Sequence, residues 1–259
     1  MNNNFFFSII FCCCSFLLSA QEYKDIEIEY EQINNTEANN TFYNMYKAML
    51  YIQDGVSIFQ EKTSTTTYSD TGNDSGTAIV VRPTVTFEPY IKIDRNSKEL
   101  LFFEMIGANI FIVKDNYNEL KWDITPDTKD VAGYKCTKAT TTFRGRTWIA
   151  WFTPQIPVPF GPWKLHGLPG LILEASEFSN RYIYKAIAIK FSKGNVFSTN
   201  FSKLMKAYNN QPITYKQFLT DKDEYLDNAY KKMSQETNSE VSRQKFPPNG
   251  LELKYEWDK

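Results

Sequence analysis

Arg144, Arg146 and Trp148 occupy alternate positions of one β-prone run. On a strand, alternate side chains share a face, so two guanidinium forks would stand beside an indole. That set can hold a carboxylate, a phosphate or a glycan hydroxyl through paired hydrogen bonds. The same residues can instead brace a sheet, with one arginine stacked on tryptophan and paired to Glu174 or Asp130. Ile149 and Trp151 would lie on the opposite face. Trp163 and His166 follow in a segment that holds five of the eleven prolines, from Pro154 to Pro169, with Gly161, Gly167 and Gly170 among them. Such a segment is neither regular helix nor central strand. It is a rigid crossing, suited to carry a site or to plug the open end of a barrel. Arg144, Arg146, Trp148, Trp151, Trp163 and His166 are therefore the candidate ligand-binding residues.

Other chemistry is limited by what the chain lacks. His166 is the single histidine, so a His-Glu-x-x-His zinc helix is impossible and no metal site is expected. No Gly-x-Ser-x-Gly elbow and no phosphate-cradling glycine loop occur. Asp221-Lys222-Asp223 starts like a calcium loop, but Leu226 and Lys232 stand where its glycine and bidentate glutamate belong. No catalytic set and no cofactor are assigned. Paired acids for glycoside hydrolysis stay open, because folding brings distant carboxylates together.

Phe5 to Leu18 are almost wholly apolar, and Ser19-Ala20 offers a cleavage site before Gln21, although Met1-Asn4 carries no Lys or Arg. The segment reads as a cleaved signal peptide over residues 1–20, leaving one domain over 21–259 and no transmembrane span in the mature chain. Cys12, Cys13 and Cys14 admit a lipoprotein reading, but Ile10-Phe11 are not the small residues a lipid-attachment site prefers. The expected location is the periplasm or outer cell envelope. Cys136 then remains alone, excludes an intramolecular disulfide and is expected to be buried. The net charge of −1 gives no footprint for nucleic acid.

The elements that must position these residues are mostly strands. Asp25–Tyr30 alternates strictly. Lys47–Ile52 and Val56–Gln60 flank Asp54-Gly55, a hairpin signal. Ile79–Ile93, Leu100–Met105, Ile110–Lys114, Lys135–Arg144, Arg146–Thr153, Gly170–Ala175 and Tyr182–Phe191 follow as strands. Asn34–Thr41 and Thr63–Gly76 read as loops. Helical spacing appears at Phe201–Tyr208. It returns after Pro212, where Thr214-Tyr215-Lys216-Gln217 resembles a capping box before the stripe Leu219, Leu226, Tyr230, Met233. Leu251–Asp258 alternates and reads as a closing strand. The fold class is α+β: predominantly antiparallel, a large curved sheet or half-open barrel with one or two C-terminal helices. By fold-level analogy it is similar to periplasmic lipoprotein carriers.

Gly167-Leu168-Pro169-Gly170-Leu171-Ile172 resembles the name-giving motif of the GLPGLI family of secreted bacterial proteins. Gly133-Tyr134-x-Cys136, Gly145-Arg146, Ala150-Trp151, Ile156-Pro157 and Gly161-Pro162 match its pattern, so the resemblance covers roughly Lys129 to Glu174. It implies export. Gly161, Pro162, Gly167, Leu168, Pro169, Gly170, Leu171 and Ile172 read as a structural motif, with Leu168, Leu171 and Leu173 buried and the glycines serving backbone geometry; if Gly170 holds positive φ, alanine there is costly. The family has no established activity. The expectation is a non-enzymatic envelope protein binding lipid or peptide, or an accessory to an outer-membrane transport system. The alternative is a secreted hydrolase acting on peptide or glycan through His166, Cys136 or a carboxylate pair.

Overall fold

The computed structural model describes residues 25–35, 42–69, 89–192, 211–238, 243–244 and 250–258. The signal segment with Cys12–Cys14, the helical pattern at Phe201–Tyr208, and parts of the Asn34–Thr41, Thr63–Gly76 and Ile79–Ile93 readings lie outside them.

Among the described residues the strands run in chain order: β1 (Asp25–Asn35), β2 (Phe42–Gln53), β3 (Val56–Ser69), β4 (Tyr90–Asp94), β5 (Glu99–Ile106), β6 (Asn109–Asp115), β7 (Asp123–Val131), β8 (Tyr134–Phe143), β9 (Arg146–Thr153), β10 (Leu171–Glu177) and β11 (Tyr182–Ser192). The short β12 (Ile213–Thr214) leads into helix α1 (Tyr215–Thr237). All twelve strands form one open curved sheet of order β12-β6-β5-β4-β3-β2-β1-β11-β10-β9-β8-β7. The α+β, predominantly antiparallel class read from the sequence is thus the observed one, with β12 against β6 the parallel exception. Two meanders, β1–β6 and β7–β11, meet where β1 pairs with β11.

The alternation that marks β1 works as expected. Ile26, Ile28 and Tyr30 are buried while Glu27, Glu29 and Glu31 are less so. Cross-strand partners Ala48, Leu50 and Phe59 continue the same inner face. The Asp54-Gly55 hairpin forms with both residues at positive φ (47° and 78°), the geometry that matches strand twist.

Several boundaries differ from the sequence reading. Asn34-Asn35 and Thr63–Ser69 belong to strands β1 and β3. β7 was not expected, because Asp123–Val131 is mostly exposed and polar and carries no alternation. Leu251–Asp258 forms no strand. Its backbone instead docks on the β8–β9 turn, where the Leu253 and Lys254 amides donate to the Arg144 carbonyl. Alternation there reflects one side of a strap held by side chains, which mimics a strand pattern without a ladder. In α1, Thr214 Oγ1 accepts from the Gln217 amide at 3.2 Å, as the capping motif requires. The buried anchor of the helix is Phe218, whereas Met233 of the expected stripe is 49% exposed. The helix packs along the β6/β12 edge, with Phe218 edge-on to Phe111.

The inner face of the sheet is covered by the Pro/Gly segment. Ile156, Phe160, Trp163, Leu165 and Leu168 are buried there. Each such side chain contributes about 1.5–3 kcal/mol on burial, enough to make the segment part of the core. Leu171 and Leu173 are buried as expected. Gly170, however, does not have positive φ; Gly167 does, at 96°. A Cβ on Gly170 would stand 2.2 Å from the Thr153 carbonyl oxygen, so close backbone approach is what that glycine provides.

Candidate functional site

A cavity of about 580 Å³ opens between the inner face and the elements that cross it. Strands β3 and β5 supply Phe59, Glu61, Phe102 and Glu104. The Pro/Gly segment supplies Trp163 and Lys164, helix α1 supplies Tyr215, Leu219 and Lys222, and the strap supplies Gly250, Leu251, Glu252 and Tyr255. Phe59 and Glu61 share a face, as do Phe102 and Glu104, by the two-residue period of a strand.

Burial raises two lining carboxyls, Glu61 and Glu104, as it does the lining hydroxyls of Tyr215 and Tyr255. Burial pushes the Glu61 carboxyl above its ordinary value; a Gln32 side-chain hydrogen bond opposes this and the charge of Glu104 adds to it. Burial also raises Glu104, against the pull of Lys222 and Lys164. Two carboxyls that resist ionisation in one aromatic-walled cavity are what acid–base work near neutral pH requires.

The cavity wall is held by a buried ionic cluster. Arg144 Nη2 lies 2.7 Å from Asp115, its Nη1 is 3.1 Å from Glu252 and its Nε donates to Glu256 at 3.0 Å. Lys164 Nζ bridges the same Asp115 and Glu252 at 2.7 and 2.9 Å. Tyr215 donates its hydroxyl to the other oxygen of Glu252 at 2.6 Å. Burial alone would raise Asp115, but Lys164 and Arg144 outweigh it and hold the carboxyl below its ordinary value. For Arg144 burial works against the charge, and Glu252 and Asp115 outweigh it in turn.

The sequence candidates fall in different places. Arg144 is not on a strand: it takes a left-handed conformation (φ 50°) in the β8–β9 turn with Gly145, and its guanidinium is spent on the cluster. Arg146 donates Nε and Nη2 to the Gly250 carbonyl and pairs with Glu177 at 3.6 Å. Glu174, considered as an arginine partner, instead binds Lys129 at 2.6 Å. Trp148 is fully buried on the inner face, 5.3 Å from the Trp163 ring and 6.3 Å from Tyr184. Trp151 points the other way, beneath Lys129 at 4.4 Å. His166 is buried 4.9 Å from Tyr117, with Nδ1 3.0 Å from the Lys164 carbonyl; burial pushes it below the ordinary histidine value. Cys136 is buried, and burial raises its thiol to about 11, outside the range of a reactive thiolate. Of the six candidates, Trp163 lines the cavity. It does so at φ 55°, an outlier for a bulky residue and a mark of a position the surroundings over-determine.

Glu61, Glu104, Lys164 and Lys222 were missed. A signal existed for Glu104: it is the one charged residue in the otherwise apolar run from Leu100 to Ile106.

A family model described as N-glycanase peptide, N-terminal domain, matches residues 41–217. Among solved structures, PNGF-II in the P21 space group is similar at 17% identity with a TM-score of 0.51, covering 76% of this chain and 32% of that one. PNGF-II in the C2 space group is similar at 18% identity with a TM-score of 0.49, covering 73% and 30%. The likeness is one of fold, and the chain spans about a third of the length of the structures it matches. No curated protein matches. The family match includes Gly167–Ile172, and it overturns the GLPGLI assignment read from that hexapeptide. It also overturns the expectation of a non-enzymatic binder of lipid or peptide, or of a transport accessory.

Proposed function

Because the chain belongs to the family of N-glycanase peptide N-terminal domains, we propose that it takes part in the hydrolytic release of N-linked glycans. The cavity bounded by Trp163, Phe102 and Tyr215 receives the sugar, and Glu61 and Glu104 are the acid–base carboxyls. The carrying observation is the placement of Glu61 and Glu104 in one aromatic-walled cavity, where burial pushes both carboxyls up. Aromatic faces suit the apolar faces of sugar rings, and carboxyls suit both their hydroxyls and proton transfer.

The same reading places the chain where glycoproteins are met, outside the cytoplasm, after cleavage between Ala20 and Gln21, in the periplasm or outer envelope. No helix among the described residues is long and apolar enough to cross a membrane. Residues 21–259 act as one domain in this reading, supported by a single sheet that runs from β1 to β12.

The test is glycan release from a purified N-glycoprotein and its glycopeptides, followed by mass spectrometry between about pH 4 and 9, the span over which shifted carboxyls titrate. Glu61→Gln and Glu104→Gln are each expected to slow release by roughly 10²–10⁴-fold while leaving the fold intact. Retention of glycan in the cavity with no release at any pH sinks the hydrolytic assignment.

A further inference from the structure

The strap carries a second aromatic group beyond the cavity. Tyr255 lines the cavity itself. Two residues on, Trp257 stacks flat against it, with ring centroids 4.9 Å apart and planes 1° from parallel. Tyr215 meets both rings at 88°, with centroids 5.5 and 6.1 Å away, and the Arg144 guanidinium lies 5.2 and 5.7 Å from them. The buried ionic cluster thus clamps a two-ring ladder that leads outward from the cavity. Trp257 is only partly buried, and it lines two further recesses of about 400 and 360 Å³. These share walls with the cavity. Leu219 borders the cavity and the first recess, Tyr215 the cavity and the second, and Lys216 both recesses.

We propose that Trp257 is the stacking platform of an outer glycan subsite, so that the chain holds an oligosaccharide along several of its sugars and not only at the one in the cavity. This rests on the hydrolytic reading above. Around the indole stand Lys216, Asn116 and Glu224, all exposed and, among the described residues, without an ion pair or side-chain hydrogen bond of their own. The other charges of the recesses, Asp223, Lys114 and Asp115, are already paired. An ammonium and an amide N–H donate; a carboxylate and an amide oxygen accept. With both signs of charge beside the ring, the site selects neither an anion nor a cation. Sugar hydroxyls both donate and accept, and the apolar face of a sugar suits an indole held rigid by its neighbours. Trp257 lies beyond residues 41–217, so the family match does not bring this subsite with it.

Binding of free glycans to the full chain tests this, because it separates recognition from turnover. The probes are a biantennary N-glycan, the disaccharide of N-acetylglucosamine and a glycan-free peptide. Affinities come from titration calorimetry. The Trp257 indole N–H is followed by nitrogen-15 NMR and assigned with Trp257→Phe. The long glycan is expected to shift that signal, and the disaccharide to leave it in place. Trp257→Ala should weaken the long glycan about tenfold and leave the disaccharide within about twofold of wild type, with most of the loss recovered in Trp257→Phe. Lys216→Ala removes a side chain that makes no polar contact in the fold, and it should also weaken the long glycan alone. That arm keeps the result independent of any damage to the strap in Trp257→Ala. An unmoved Trp257 signal at saturating long glycan, equal losses for both glycans, a shift driven by the bare peptide, or no binding of any probe overturns the subsite. Long glycan held through Trp257 with no release by wild type keeps the subsite and sinks the hydrolytic reading. Release by wild type, with Trp257→Ala and Lys216→Ala at wild-type affinity, does the reverse.

Discussion

Glu61 holds its proton at a cost to the fold. Its folded carboxyl binds a proton more tightly than an unfolded one does, so over the window between the two values the native state holds more protons. Stability then falls as pH rises through that window. Glu61→Gln removes the ionisable group but keeps an acceptor for Gln32. The variant is expected to melt above wild type at neutral pH, and the two should converge once pH drops below the ordinary carboxylate range. Thermal melts at about pH 7.5 and 3.5 on either side of that range check this; a Glu61→Gln that melts lower at neutral pH would show that the carboxylate stabilises the wall. Asp115 carries the opposite sign. Its folded carboxyl is held below the ordinary value, so the ionic cluster's contribution is complete at neutral pH and is lost as pH falls through that lowered value. Glu61 and Asp115 therefore pull the pH–stability curve in opposite directions within one fold.

At the scale of elements, the Pro/Gly segment is where shape matters most. Gly170→Ala would drive a Cβ to 2.2 Å from the Thr153 oxygen and 2.6 Å from its carbonyl carbon, both backbone atoms that cannot swing aside. A loss of about 1–3 kcal/mol is expected, the usual cost of overpacking a close-packed core. In a denaturant melt the transition midpoint should fall with an unchanged slope. A midpoint equal to wild type would mean that β10 slides freely on β9. The segment's role as a shaped cover was legible from its prolines and glycines, as were the hairpin at Asp54-Gly55, the alternation of β1 and the cap at Thr214. What stayed hidden is physical in origin. β7 is polar along most of its length, and its pairing comes from β8 rather than from its own apolar pattern. The strap alternates like a strand but is anchored by Arg144 and Arg146, contacts separated in sequence by more than a hundred positions. The candidate site was legible only in Trp163. Arginines with free forks and arginines already spent on carboxylates look alike in a sequence, and Glu61 declares itself only when its face is known.

At the scale of the molecule, the cluster of Arg144, Lys164, Asp115, Glu252 and Glu256 ties β6, the β8–β9 turn, the Pro/Gly segment and the strap at one point. Removing one charge leaves its buried partners uncompensated. Glu252→Gln is expected to cost about 3–5 kcal/mol, and to loosen the cavity wall before the sheet itself melts. Hydrogen exchange should then rise first at the Leu253 and Lys254 amides; a uniform rise across the sheet would show the cluster to be part of global stability alone. The seam between the two meanders has a different consequence, one of timing. β1 waits, with Asp25 unpaired on one side, until Ser192 arrives to meet it. Contacts so far apart in the chain form slowly, because each must first overcome the entropy of the loop between. The cavity is later still. Its walls are drawn from residues 59–61, 102–104, 163–164, 215–222 and 250–255, so every strand can be in place while the chamber is still missing its final side. Whatever chemistry Glu61 and Glu104 perform thus begins only after the strap has docked. Any species arrested before that step would be folded by most optical measures and inert.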